Sequence, residues 1–229
     1  ILVVIGILIA LQINNWNENR KLLQLEVQIL QEIKNDLFQT KNDVIETVGR
    51  HKEVLGLTQY VLDAIHTKLP YSDSIYGAFS RAGTDFEIVP KTSSFENLKT
   101  IGLNTVSNDS LRIAITNIFQ LSFTPLQKDF QSKNTQFDIS SMMFPYQKSY
   151  FAIDFSKPIK MARKYSDTLN TFRLKIRDYN RFLNDEELFK VIQLSMYTRS
   201  NIVEGQMLVV EEINKVVKLI EEDLQKKGN

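Results

Sequence analysis

The side chains able to do chemistry are few, and their spacing matches no common reaction centre. The two histidines, His51 and His66, stand fifteen residues apart, whereas a helical zinc hydrolase needs two histidines at helical spacing with a carboxylate between them. Zero cysteines in 229 residues remove disulfides, thiolate nucleophiles, iron–sulfur clusters and cysteine zinc sites together. No glycine-rich loop precedes a Lys-Ser or Lys-Thr pair and no Gly-x-Ser-x-Gly turn occurs, so phosphate cradles and nucleophile elbows have no candidates. Any of the 27 acidic residues can meet another across a fold, which leaves a carboxylate pair without a sequence signature. His51 shares a helical face with Val48 and Leu55 and reads as a packed core histidine, while His66 reads as a favourable contact at a helix end. The sequence therefore offers no catalytic residue, no cofactor site and no metal ligand.

Charge selects no partner either. With 28 Lys plus Arg against 27 Asp plus Glu the formal net charge is +1, and nucleic acid is not expected as a partner. One local excess stands out: Lys157, Lys160, Arg163, Lys164, Arg173, Lys175, Arg177 and Arg181 against Asp167 and Asp178, interleaved with Tyr165, Phe172 and Tyr179. Such a stretch suits anionic lipid headgroups or a polyanionic polymer. Its aromatics fall on a heptad seam, however, so it reads as the solvated basic face of a helix.

Only 8 Gly and 5 Pro leave few places for the tight turns of a sandwich or barrel, and an all-α fold is expected. The chain opens inside an apolar run, ILVVIGILIALQI, with Ile rather than Met, as a fragment of a longer product would. About seven more apolar residues upstream would complete a membrane span. Asn14, Asn15 and Trp16 and then Asn17 to Lys21 follow in the order of a membrane surface: an interfacial indole, then amides and charges. No small-x-small cleavage site is present. Residues 1–15 are thus expected to be the C-terminal part of a transmembrane helix whose start is truncated, with the lipid bilayer as partner of residues 1–13, and residues 16–229 an extramembrane helical domain.

The first helix keeps its apolar spacing from Leu25 through Ile65 with no proline before Pro70, and Glu26, Glu32, Lys34, Asp36 and Lys41 are assigned to its solvated face. Gly49 and Gly56 within it mark either a close helix crossing, the preferred reading, or a local bend. A short helix is expected near Ser74–Arg81. Ser93-Ser94-Phe95-Glu96 has capping-box spacing and leads to Gly102, and Asn108-Asp109-Ser110 marks a further helix start. Phe119, Phe123, Leu126, Phe130 and Phe137 continue a core stripe. Residues 138–158 read as a loop, within which Tyr150 to Phe155 could also form a strand. Ala162, Tyr165, Leu169, Phe172, Ile176, Tyr179 and Leu183 read as a helical seam. The last helix runs from Asn184 to about Lys226, long enough to pair with the first in an elongated antiparallel bundle.

Two stretches, residues 1–21 and SSFENLKTIGLNTVSNDSLRIAITNIF at 93–119, resemble a family of single-span membrane proteins of Gram-negative Bacteroidota defined only as a domain of unknown function. A third, DYNRFLNDEELFKVI at 178–192, resembles it more weakly. The resemblance implies a single-pass inner-membrane protein with a periplasmic C-terminal helical domain, and it transfers no catalytic residue. A non-catalytic interaction or scaffold role in the cell envelope follows as the expectation, through a protein partner or a second copy. A ligand-sensing domain with an apolar pocket near the Phe119–Phe137 stripe is one alternative. An enzyme acting on an envelope polymer or lipid, marked by convergent acids with raised pKa values, is the other.

Overall fold

The structure, a computed structural model, describes residues 2–126, 138–163 and 166–228. Helix α1 spans Leu2–His66, α2 Asp73–Ala82, α3 Ser93–Ile101 and α4 Asp109–Asn117. A π-helical turn at Ile118–Ser122 and a 3-10 turn at Thr124–Leu126 follow. Helix α5 is Ile139–Tyr150, strands β1 and β2 are Phe151–Arg163 and Ser166–Ile176, α6 is Tyr179–Leu183, and α7 is Glu186–Gly228.

The chain divides into two compact units: Ile1–Glu46 with Ile88–Gln127 and Gln206–Asn229, and Thr47–Glu87 with Lys128–Gly205. Helices α1 and α7 each contribute to both. Along α1 the buried positions Glu26, Leu30, Ile33, Leu37, Thr40, Val44, Thr47, His51, Val54, Thr58, Val61 and Ile65 alternate steps of four and three. On α7 the same steps join buried Leu188, Ile192, Ser195 and Arg199, then Gln206, Val209, Ile213, Val216, Ile220 and Asp223. This is the burial stripe of a heptad helix, and it carries polar residues among the apolar ones. In the first unit, Lys34 pairs with Glu221 at 3.2 Å and Lys41 with Asn214 at 2.7 Å, so α1 and α7 run antiparallel there. Phe95 stacks on Phe119 at 4.7 Å, and Phe119 meets Phe123 edge-on. In the second unit α2, α5 and α6 close over Val61, Ile65, Leu188 and Ile192 with Ile75, Phe79, Met143, Tyr150 and Phe182.

Four expectations are corrected. Among the described residues no helix is long and apolar enough to cross a membrane. The apolar run from Leu2 to Ile13 covers about 18 Å of a hydrocarbon slab about 30 Å thick before the amides begin. The N-terminal transmembrane helix and the single-pass inner-membrane placement are therefore not supported. The fold is also not all-α. Residues expected to form a loop and then a helical seam instead make α5 and an antiparallel hairpin, in which Phe151 faces Ile176 and Asp154 faces Arg173. Its sequence explains why: Phe172, Leu174 and Ile176 alternate with Arg173, Lys175 and Arg177 at the period of a strand, and Thr168, Asn170 and Thr171 are poor helix formers. The capping box is replaced by a tertiary contact described below. Finally, a Cβ on Gly49 or Gly56 would meet nothing within 4 Å, so neither marks a close crossing. Phe130, Phe137, Lys164 and Tyr165 lie outside the described residues.

Gly102 ends α3 at φ 107°, ψ 128°, a backbone conformation that L side chains rarely adopt. Gly102→Ala should lower stability by about 1–3 kcal/mol, whereas Gly49→Ala, mid-helix in open space, should raise it by about 0.5–1 kcal/mol. Urea unfolding followed by circular dichroism reads both signs.

Candidate functional site

The polar residues on and beside the two buried stripes are the groups that sequence alone assigns least well. Glu26 and Asp36, placed by their spacing on the solvated face of α1, are 4% and 9% exposed. The Glu26 carboxylate accepts the Ser107 backbone N–H at 2.7 Å and its hydroxyl at 2.9 Å, and the Lys227 ammonium lies 3.3 Å away. Lys227 also pairs with Asp223 at 2.5 Å, and Asp223 accepts from Asn108 Nδ2 at 3.0 Å. Asn108 in turn caps α4 by accepting from Leu111 N–H. Burial acts to raise the Asp223 pKa, but the bonds from Lys227 and Asn108 outweigh it and hold the carboxyl below its usual value. Burial acts to lower Lys227, and its two carboxylates outweigh that and raise it.

Asp36 supplies the start of α3. Its Oδ2 accepts the Ser94 N–H at 2.9 Å and the Ser93 hydroxyl at 3.1 Å, a carboxylate from another helix at the positive end of the dipole. Ser93 therefore donates to α1 instead of accepting from its own helix. Glu96 pairs with Lys99 at 2.6 Å rather than reaching back. Thr40 accepts the Lys91 N–H at 2.9 Å.

In the second unit the central pair is His51 and Arg199, 0% and 1% exposed. Arg199 NH1 lies 2.9 Å from His51 Nδ1, and NH2 donates to the carbonyls of Ala82 at 3.1 Å and Thr84 at 2.6 Å. A guanidinium has donors only, so His51 must present a lone pair at Nδ1 and carry its proton on Nε2. That Nε2 has no hydrogen-bond partner. Burial first, and the Arg199 charge second, lower the His51 pKa to about 4, and burial lowers Arg199 to about 10. His51 is thus a core histidine, as its spacing indicates. Arg199 escapes sequence reading, although the steps Leu188, Ile192, Ser195, Arg199 place it on the apolar stripe of α7.

A cleft of about 480 Å3 opens where α7 begins, floored by Ile65, Leu183 and Phe189 and rimmed by His66, Lys68, Asp185 and Lys190. Of its polar groups, Lys68, Asn184, Asp185 and Lys190 are engaged. Lys68, at φ 57°, donates to the Leu183 carbonyl and to Asn184 Oδ1. Asp185 accepts the Leu188 N–H at 2.9 Å and the Tyr150 hydroxyl at 2.5 Å. Burial and the Asp185 carboxylate push Tyr150 up to about 12. Burial alone would raise Asp185, but the Tyr150 and backbone bonds prevail and lower it.

The other expected features fall elsewhere. Phe119 and Phe123 are buried and meet edge-on at 5.2 Å. The basic stretch lies largely on the hairpin, where Lys157 and Arg173 both contact Asp73, and Lys175 lies 3.7 Å from Asp154. Among the described residues no three His, Asp or Glu are grouped to hold a metal, and each carboxylate with a resolved shift, Glu53, Asp154, Asp185 and Asp223, is lowered. A general acid working near neutral pH requires the opposite shift. These arrangements tie backbone segments together.

Asp36→Ala should cost about 1–2 kcal/mol by uncapping α3, and Glu26→Ala about 2–4 kcal/mol by leaving the Ser107 amide and part of the Lys227 charge unpaired. Chemical denaturation tests both; losses under about 0.5 kcal/mol would mark the two carboxylates as the solvated residues their spacing suggests.

Comparison with curated proteins and with solved structures returns no match. Residues 1–128, which hold α1 to α4 with both stretches that carry the strongest resemblance, match a family of unknown function. The third stretch, at 178–192, lies outside the matched part. With more than half of its length matched, the chain belongs to the family of unknown function DUF6090.

Proposed function

We propose that the protein is a non-catalytic interaction module, a helical scaffold that works by association. The observation that carries this reading is the start of α1. Val3, Val4, Ile5, Ile7, Leu8, Ile9, Leu11 and Ile13 are each at least 47% exposed, and a contiguous apolar surface of this kind marks an interaction site. Together they leave roughly 800 Å2 of apolar area in water, about what one partner contributes to a specific interface. The run carries no charge that would repel an identical run, so a second copy of the chain is the partner to test first. The buried polar groups Glu26, Asp36, Arg199 and Asp223 support the same reading, because their bonds fix the chain's own connections. The resemblance of residues 1–21 and 93–119 to proteins of the Bacteroidota supports a role in a Gram-negative cell envelope.

Sedimentation of the chain should show concentration-dependent association. The triple variant Ile5→Ser, Leu8→Ser, Ile9→Ser should sediment as a monomer with an unchanged thermal melt, since these side chains lie outside both cores. A wild-type chain that stays monomeric at the highest concentrations reached, or a variant that associates equally well, would overturn self-association through this surface.

A further inference from the structure

Among the described residues, the one side chain that accepts a hydrogen bond from Arg199 is His51, a group that can change charge. We propose that His51 and Arg199 form an acid-sensitive clasp, in which a proton taken up by the His51 ring breaks its bond to the guanidinium and releases the Gly83–Glu87 connection that follows α2.

The geometry allows one protonation state. Arg199 NH1 points at His51 Nδ1 across 2.9 Å, and the bond exists only while Nδ1 keeps its lone pair. A proton on that nitrogen sets two donors and two positive charges against each other at a site where both side chains are at most 1% exposed. The guanidinium is a rigid plane. Its other terminal nitrogen, NH2, holds the Ala82 and Thr84 carbonyls at 3.1 and 2.6 Å, so driving NH1 away from the ring also disturbs the bonds that fasten the connection. The unpartnered Nε2 offers the imidazolium no compensating acceptor.

The surrounding groups leave this response to the ring. From the connection, Phe86 meets the imidazole edge-on at 5.0 Å. Asp85 favours the Arg199 charge from a distance and accepts the Phe86 N–H at 2.9 Å. From α7 the facing charge is Arg199 itself. On α1 the nearby carboxylate of Glu53 is taken by Arg81 of α2 at 2.6 Å. A solvated imidazole protonates near 6.5, and burial in the closed clasp lowers this to about 4. Protons therefore bind the open form first: the clasp is at full strength above pH 6.5 and weakens as pH falls toward 4. The shift allows a change of up to about 300-fold in the closed-to-open ratio.

His51→Asn supplies the test, since an amide oxygen can take the place of Nδ1 as acceptor without titrating in this range. Amide hydrogen exchange at Thr84 and Phe86, corrected for intrinsic chemistry, is followed by NMR from pH 7.5 to 4.5. Protection in the wild type should fall by about 70-fold more than in His51→Asn by pH 4.5. Nitrogen-15 spectra of the wild-type ring should show the proton on Nε2 at pH 7 and no titration above pH 5. Equal loss of protection in the two proteins, or a wild-type His51 that titrates near 6.5 while the fold is intact, would overturn the clasp. The ring titration decides the matter if the variant does not fold.

Discussion

A buried polar group must find a partner, and that requirement organises this protein. Helices α1 and α7 bury heptad stripes in which Glu26, Thr40, His51, Arg199 and Asp223 occupy places where aliphatic side chains would pack. Each must replace the water it gives up, at a cost of several kcal/mol for an unpaired charge. The partners are the short segments between helices: the Ser107 and Lys91 amides, the Asn108 side chain, and the Ala82 and Thr84 carbonyls. An all-apolar stripe would bury as much area but would not specify which connection docks at which turn. The Nε2 of His51 and both amide atoms of Gln206, 2% exposed, are the exceptions on the stripes, and nothing in the structure explains Gln206.

The long helices are legible in the sequence because their period repeats over many turns. The starts at Asp73 and Asp109 and the stop at Gly102 are equally readable, since each rests on chemistry within four residues. The hairpin is not, because Phe172 and Ile176 are four apart and satisfy a helical period as well as a strand period of two. The intervening Leu174 and the flanking cations decide between them. Charge pattern also misleads at Glu26 and Asp36. Their partners are 81 and 58 residues away, and no local rule detects a carboxylate that caps a helix so distant in sequence. Arg199 is legible only by extending the apolar stripe of α7 through it and asking what a cation does there.

The same bonds bear on function. Carboxylates held below their ordinary pKa by hydrogen bonds are stable anions, suited to fastening structure and unsuited to giving up protons near neutrality. The cleft beside α7 follows this pattern, with Lys68 and Asp185 already committed to backbone and tyrosine partners. The start of α1 leaves an apolar surface exposed. Directional interactions are used in the buried cores of the units, and a broad hydrophobic surface is left exposed on the first of them.

The two-stranded ribbon of β1 and β2 is irregular in a way that bears on edge-to-edge strand pairing. Its pairing shifts between Asp154 and Pro158 and again between Met161 and Arg163, and Pro158 has no amide hydrogen to offer. A foreign strand laid against this edge finds only brief stretches in step, interrupted by bulges and lysines. The ribbon can therefore project Phe155, 72% exposed, without inviting the endless sheet growth that ends in amyloid.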